Sequence, residues 1–323
     1  MKKNNTDPLV TLNFGRMCMA NFLLYASVYL ILPLMPAVAQ QILQIPVDQS
    51  SWLYLAFVAG MVAAAPFYAY LGDAYKRKNV LMSAVLTVIV ALAGMEFVQS
   101  FWQLWALVLL QGVGFGWAET AGLTLAIDVT ASNRRSDGNK VFAVVGRSGM
   151  LVGAALSMVL SSLYDCMSLV LPAQLALLAV VLLVARVHVA FRAPIGLPVF
   201  SLDRFLLLRA WLPALNVAWL SGVAGMLLAS WTVWSMPVVL VVLALLAGCM
   251  ASLTKVFVRL SHHCQRGTAN TTCQLAVDGG MLVGLCMAHQ AERVGDTVIF
   301  GAVTGLLCFC LLTIPYYRNM RVR

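Results

Sequence analysis

Ten apolar runs recur along this chain, near residues 17–40, 51–71, 79–98, 101–127, 140–163, 166–190, 210–230, 233–256, 272–289 and 296–317. At 1.5 Å of rise per residue, about 20 apolar residues cover the ~30 Å hydrocarbon core of a bilayer. Lipid offers no partner to a backbone N–H or C=O, so a crossing segment has to satisfy its own. The short links carry turn chemistry, such as Pro46 with Asp48 and the stretch Ser132 to Gly138. The expected fold is an all-α polytopic membrane protein of about ten transmembrane helices. Composition agrees: 62% of residues are hydrophobic and 10% charged, against about 45–50% and about 25% in soluble chains.

The segment Met1 to Asp7 is short and polar, and the run Met17 to Ala39 is too long for a cleavable signal, so the first run reads as a retained span. The eight cysteines lie mostly inside apolar runs, where a thiol behaves as a small hydrophobe, and imply no disulfide framework. His262, His263 and Cys264 stand together, but no second cluster supplies the remaining ligands of a structural zinc. No metal or other cofactor is expected. No Gly-x-Ser-x-Gly, His-Glu-x-x-His or paired-aspartate motif falls in any run, which argues against an intramembrane enzyme.

Orientation follows from the basic residues, because loops rich in Lys and Arg stay cytoplasmic. Seventeen of the 21 fall at the termini or in the loops 72–79, 128–140, 191–209 and 257–271, which all share one side when the spans are even in number. Only Arg293 falls opposite. Both termini are expected in the cytoplasm, with the chain multi-pass in a cell inner membrane. The net charge of +9 is thereby a topology signal, and no nucleic-acid partner is expected, since the basic residues flank spans and form no single surface.

After the second run the chain reads Ala69-Tyr-Leu-Gly-Asp-Ala-Tyr-Lys-Arg-Lys78, one acid followed by three consecutive bases. This resembles the G-x-L-A-D-R-x-G-R-K loop of the major facilitator superfamily, in register through Leu71, Asp73, Arg77 and Lys78, with departures at Ala69, Ala74 and Lys76. The resemblance implies a cytoplasmic gate in which the loop's acid and base, Asp73 and Arg77, latch two halves together. Asp128, at the cytoplasmic end of the fourth run, is the candidate partner of Arg77. A plain alternative is that Lys76, Arg77 and Lys78 hold topology against lipid phosphates. In the fourth run Gln111-Gly-Val-Gly-Phe-Gly116 is similar to the family's R-x-x-Q-G-x-G pattern, with Val108 where the arginine would stand. That departure removes the residue tied to proton transfer in proton-coupled relatives. Gly112 and Gly116, four apart, suit close helix packing. Leu32 to Pro36 and Gln111-Gly112 resemble the drug-efflux branch.

Arg135 to Gly153 overlays Arg266 to Gly284 at a constant shift of 131 positions, matching Arg135 with Arg266, Asn139 with Asn270 and Gly149-Met-Leu-Val-Gly153 with Gly280-Met-Leu-Val-Gly284. A transporter built of two related halves has such a repeat. In a chain with six helices per half this equates the fifth and eleventh helices. The first and seventh start about 194 residues apart here, and 194 minus 131 leaves 63 residues, about two spans with links. The expected organisation is a six-helix half over 1–190, a cytoplasmic linker over 191–209 and a shortened four-helix half over 210–323, lacking the usual eighth and ninth helices.

Ionisable residues at bilayer depth are costly, and three occur: Glu119, Arg147 and Asp278, the first two ~10–12 Å deep. Asp278 occupies the repeat position of Arg147, so facing halves carry opposite charges. Arg147 is a candidate binder of an anionic solute group, and Glu119 or Asp278 a candidate proton carrier; a structural charge cluster closing the cavity is the alternative. Asn21, Tyr25 and Tyr29 recur every four residues on one face of the first run and suit a solvated cavity with Gln111, while Pro33 and Pro36 break its outer turn. Trp52, Trp102 and Trp211 sit at span ends as interfacial anchors. The reading is a secondary transporter of a small solute by alternating access in the bilayer, with proton-coupled efflux as the candidate mode. A degenerate, non-transporting sensor or scaffold is the alternative, and a homo-oligomer is left open.

Overall fold

The computed structural model describes residues 8, 10–189, 196–201, 206–229, 241, 256–257, 260, 266–290 and 305. The expected spans 233–256 and 296–317 lie almost wholly outside this set. The other eight are helices long and apolar enough to cross a membrane: α1 Leu12–Leu43, α2 Trp52–Ala74, α3 Arg77–Phe97, α4 Phe101–Asp128, α5 Arg135–Ser161, α6 Cys166–Ala185, α7 Leu208–Leu228 and α8 Arg266–Gln290. The chain is an all-helical multi-pass membrane protein.

Helix ends follow local chemistry that hydropathy does not register. Thr11 caps α1, its Oγ1 accepting from the Phe14 N–H at 3.2 Å, and Ser100 caps α4 in the same way through Gln103. α5 starts at Arg135, five residues before the apolar run, because Asp137 suits the positive end of the helix dipole and pairs with Lys140 at 3.1 Å. α8 also begins before its apolar run, with about two mainly polar turns from Arg266 to Thr272. Two prolines inside runs coincide with a 3₁₀ turn rather than a helix end: Leu32–Leu34 around Pro33 in α1, and Ala65–Phe67 around Pro66 in α2. Carbonyls beside the two breaks are taken by side chains, Pro33 O by Tyr54 at 3.1 Å and Ala64 O by the Trp117 indole at 2.7 Å.

α1 packs on α5 and α6, α4 on α2 and α3, and α3 on α6, while α7 packs on α8 and α8 also lies along α2. The closest of these contacts are backbone to glycine. A Cβ at Gly149 or Gly153 of α5 would overlap the carbonyl oxygens of Phe22 and Ala26 in α1. Their repeat counterparts in α8, Gly280 and Gly284, meet the carbonyls of Ala218 and Gly222 in α7 in the same way. Phe22 to Ala218 and Ala26 to Gly222 are both steps of 196, so the repeat extends from sequence to contact. Gly60 and Gly112 similarly bring α2 and α4 together against Leu109 and Phe57 carbonyls.

Valine at Gly149 or Gly284 is expected to lower the thermal unfolding midpoint in detergent by forcing these helices apart, at a cost of about 1–3 kcal/mol. Gly15→Ala, whose Cβ would meet nothing within 4 Å, is expected to leave the midpoint unchanged or slightly raised.

Candidate functional site

Midway along α5, Arg147 projects toward α8. Its Nη1 lies 2.8 Å from Asp278 Oδ1 and its Nη2 3.5 Å from Oδ2, a two-point contact, and Nη2 also approaches Glu119 Oε1 of α4 at 3.7 Å. Glu119 and Asp278 are buried, Asp278 completely, and Arg147 keeps 13% of its side chain exposed. The Tyr29 hydroxyl donates to Asp278 Oδ1 at 2.7 Å, and the Tyr25 hydroxyl donates to Glu119. The guanidinium carbon stands 5.1 Å from the Tyr25 ring centroid, and Phe115 meets that ring edge-on at 5.4 Å. A desolvated cation over an aromatic face gains about 2 kcal/mol, and the two-point carboxylate contact adds direction. The sequence stripe Tyr25–Tyr29 thus serves as the hydrogen-bonding wall of a charged cluster.

Two carboxylates share one guanidinium, so the cluster holds one more acid than base. Beside Glu119 a cavity of about 10 Å³, lined also by Met61, Gly116, Thr120, Thr271 and Leu275, separates α2, α4 and α8. It has room for about one water molecule. Gln111, two turns from Glu119 on the same face of α4, is fully buried, and neither side-chain atom has a hydrogen-bond partner. Asn21 differs from expectation. Its Nδ2 donates to Phe142 O of α5 at 3.0 Å and sits against Gly146, so it ties α1 to α5 instead of facing open space. The face expected to be solvated is closed in this conformation, with Asn21, Tyr25 and Tyr29 all buried.

The loop residues are placed at the basic end of the bundle. Arg77 Nη1 lies 2.6 Å from Asp128 Oδ2, joining the start of α3 to the end of α4. Both partners belong to the first six helices, because α3 and α4 form a hairpin whose ends meet there. Asp73 accepts from the backbone N–H groups of Gly196 and Leu197 at 2.8 and 3.0 Å. Lys78 Nζ donates to the Ala185 and Val187 carbonyls at the end of α6. Sequence reasoning missed the opposite end, where Gln290 Nε2 donates to Ser51 Oγ at 2.8 Å and His289 packs its ring 5.8 Å from that of Tyr54. Only the ends of two distant helices meet there, with no local pattern to mark them.

A bundle of apolar helices with paired glycine contacts and a charge cluster between them defines a polytopic helical membrane protein. The family model of the major facilitator superfamily matches residues 17–315, and the chain belongs to that family. Protein spinster homolog 3 of Danio rerio is 29% identical over 147 residues, covering 44% of this chain and 29% of that protein. Protein spinster homolog 1 of Homo sapiens is 27% identical over 122 residues, covering 37% and 23%. The chain thus matches less than a third of the length of these relatives. Among solved structures, the human organic anion transporter MFSD10 (TETRAN) superposes with a TM-score of 0.56 at 16% identity, covering 93% of this chain and 99% of that one. The POT family transporter PepTSo gives 0.53 at 12%, covering 90% and 57%. These likenesses are of fold.

Removing one member of a buried pair strands its partner, at about 3–5 kcal/mol. Arg147→Ala and Asp278→Ala are each expected to lose stability on this scale in detergent unfolding. Because the two positions are repeat equivalents in contact, the exchange Arg147→Asp with Asp278→Arg is expected to recover at least half of the loss.

Proposed function

We propose that this protein is a secondary transporter of a small organic anion, coupled to protons, working by alternating access in a cell inner membrane with the Lys- and Arg-rich end in the cytoplasm. The observation that carries the reading is the Arg147–Asp278 contact, the main ionic link between the first six helices and α8 among the described residues. Arg147 cannot give its full fork to two carboxylates at once. A solute carboxylate or phosphate that takes the guanidinium leaves Asp278 buried without its counter-charge, and a proton then neutralises it. One anion and one proton entering together leave the cluster's charge unchanged, which favours their moving in the same direction. Glu119, beside the small cavity, exchanges that proton with water, and Gln111 offers the solute a neutral hydrogen-bonding partner. The description of MFSD10, a neighbour in fold, as an organic anion transporter supports an anionic solute.

In this cycle the first six helices and the remainder are the two rocking bodies. Arg77 with Asp128 keeps the ends of α3 and α4 fixed as the base against which the gate closes. The ion pair at the boundary is costly to part, so differential binding of solute and proton can shift the balance between two states.

Proteoliposomes loaded with a panel of labelled organic anions are expected to show flux driven by a pH gradient. Glu119→Gln or Asp278→Asn should cut that flux at least tenfold while uncoupled exchange survives. Flux insensitive to pH in the parent and in both variants would remove the proton from the cycle, and no flux for any anion would favour a non-transporting protein. Cysteines introduced at Ser132 and Ser100 should label from opposite faces, the former from the cytoplasm.

A further inference from the structure

Among the described residues, the chain between α6 and α7 is held at several points. Arg16 Nη1 donates to the Arg186 carbonyl at 2.7 Å, and Asn13 Nδ2 donates to that of His188 at 3.3 Å. Lys78 holds the carbonyls on either side of Arg186. Further on, one Asp73 oxygen takes the two consecutive N–H groups of Gly196 and Leu197. This is the concave backbone arrangement that favours an anion. Gly196 has φ of +80°, a region in which a side chain is strained. Phe200 then packs edge-on to Phe67 of α2 at 5.8 Å, and the Ser201 N–H donates to Pro66 O at 3.2 Å, with Ser201 buried.

Six residues later the same chain is held by the other group of helices. The Leu207 N–H donates to Thr272 Oγ1 of α8 at 2.9 Å. Six extended residues reach at most about 20 Å, so movement of α8 away from α2 is taken up within that short step or pulls the docked segment off. The dock lies beside the charge cluster: Pro66 adjoins Ala65, which lines the Glu119 cavity across from Thr271 and Leu275. Pro66 sits in the 3₁₀ turn Ala65–Phe67, and its carbonyl is the one that accepts from Ser201.

We infer that segment 196–201 is a strap that holds the basic end closed by tying α2 to α8, and that its release from Asp73 and Phe67 is the step that opens this end. The inference rests on the alternating-access reading for its place in a cycle, but the strap's effect on opening can be measured without flux. Asp73, expected with Arg77 to latch one half to the other directly, holds the connecting chain instead.

The test uses the full chain with its native cysteines replaced and Thr271→Cys added, reconstituted in liposomes. Modification by a membrane-impermeant charged maleimide is timed from the basic side. Asp73→Ala and Gly196→Val, one removing the acceptor and the other straining the donor segment, are each expected to raise the rate at least tenfold with an unchanged unfolding midpoint. In the same cysteine-replaced Thr271→Cys chain, with Asp73 and Gly196 unchanged, Phe67→Cys and Phe200→Cys joined by a short bifunctional maleimide should lower the rate at least tenfold. Rates within twofold of the parent in both single variants, or a joined strap that leaves the rate unaltered, would overturn the inference. A protein without anion flux whose Thr271→Cys rate still follows the strap would retain the strap and lose the transport reading.

Discussion

The contact between Arg147 and Asp278 is the constraint around which the described structure is arranged. A guanidinium and a carboxylate placed midway along apolar helices each cost several kcal/mol when taken out of water alone. Neither α5 nor α8 can supply its own partner, so burial of both charges requires the two helices to meet. Tyr25 and Tyr29 complete the arrangement from α1 by closing the hydrogen bonds that the carboxylates have left over. The position of α8 against the first six helices is in this sense chosen by electrostatics, where the rest of the bundle is chosen by shape.

That distinction runs through all the interfaces. Within each group of helices the closest contacts are glycine against backbone carbonyl, as at Gly149 with Phe22 and Gly280 with Ala218. They are dry, and any separation loses dispersion over a long line of atoms. Between α8 and the first six helices, Met281, Leu282 and Leu285 join the shared apolar core, and polar features are set into that packing: the charge cluster, a small cavity beside Glu119, and the Ser51 to Gln290 bond at one end. Polar contacts can be exchanged for water or for a ligand at modest net cost.

The connecting chain adds a third kind of contact. Side chains at the starts of α1 and α3 and at the end of α2 hold its backbone through Arg16, Lys78 and Asp73. The loop motif therefore acts on main chain that is distant in sequence, which its acid-then-base pattern does not reveal. Arg77 alone among its charged residues finds the carboxylate expected for it, because the hairpin of α3 and α4 makes Asp128 its neighbour.

Span length and hydropathy determined the helices, since a bilayer leaves an apolar run of that length few other structures. The constant shift of 131 determined that Arg147 and Asp278 are equivalents, and the glycines that match with them are those the helices pack upon. The helix start at Arg135 lies outside the apolar run because Asp137 in its first turn suits the helix dipole, which hydropathy ignores. What the sequence left undecided was direction. Asn21 lies on the same stripe as Tyr25, yet Gly146 admits it to the α1–α5 interface and away from the charges. Asp73 could face Arg77, a second half or the connecting chain, and only the path of residues 196–201 selects among them. Periodicity fixes which residues share a face; the close approach of one backbone to another, set by the tertiary packing, decides what that face meets.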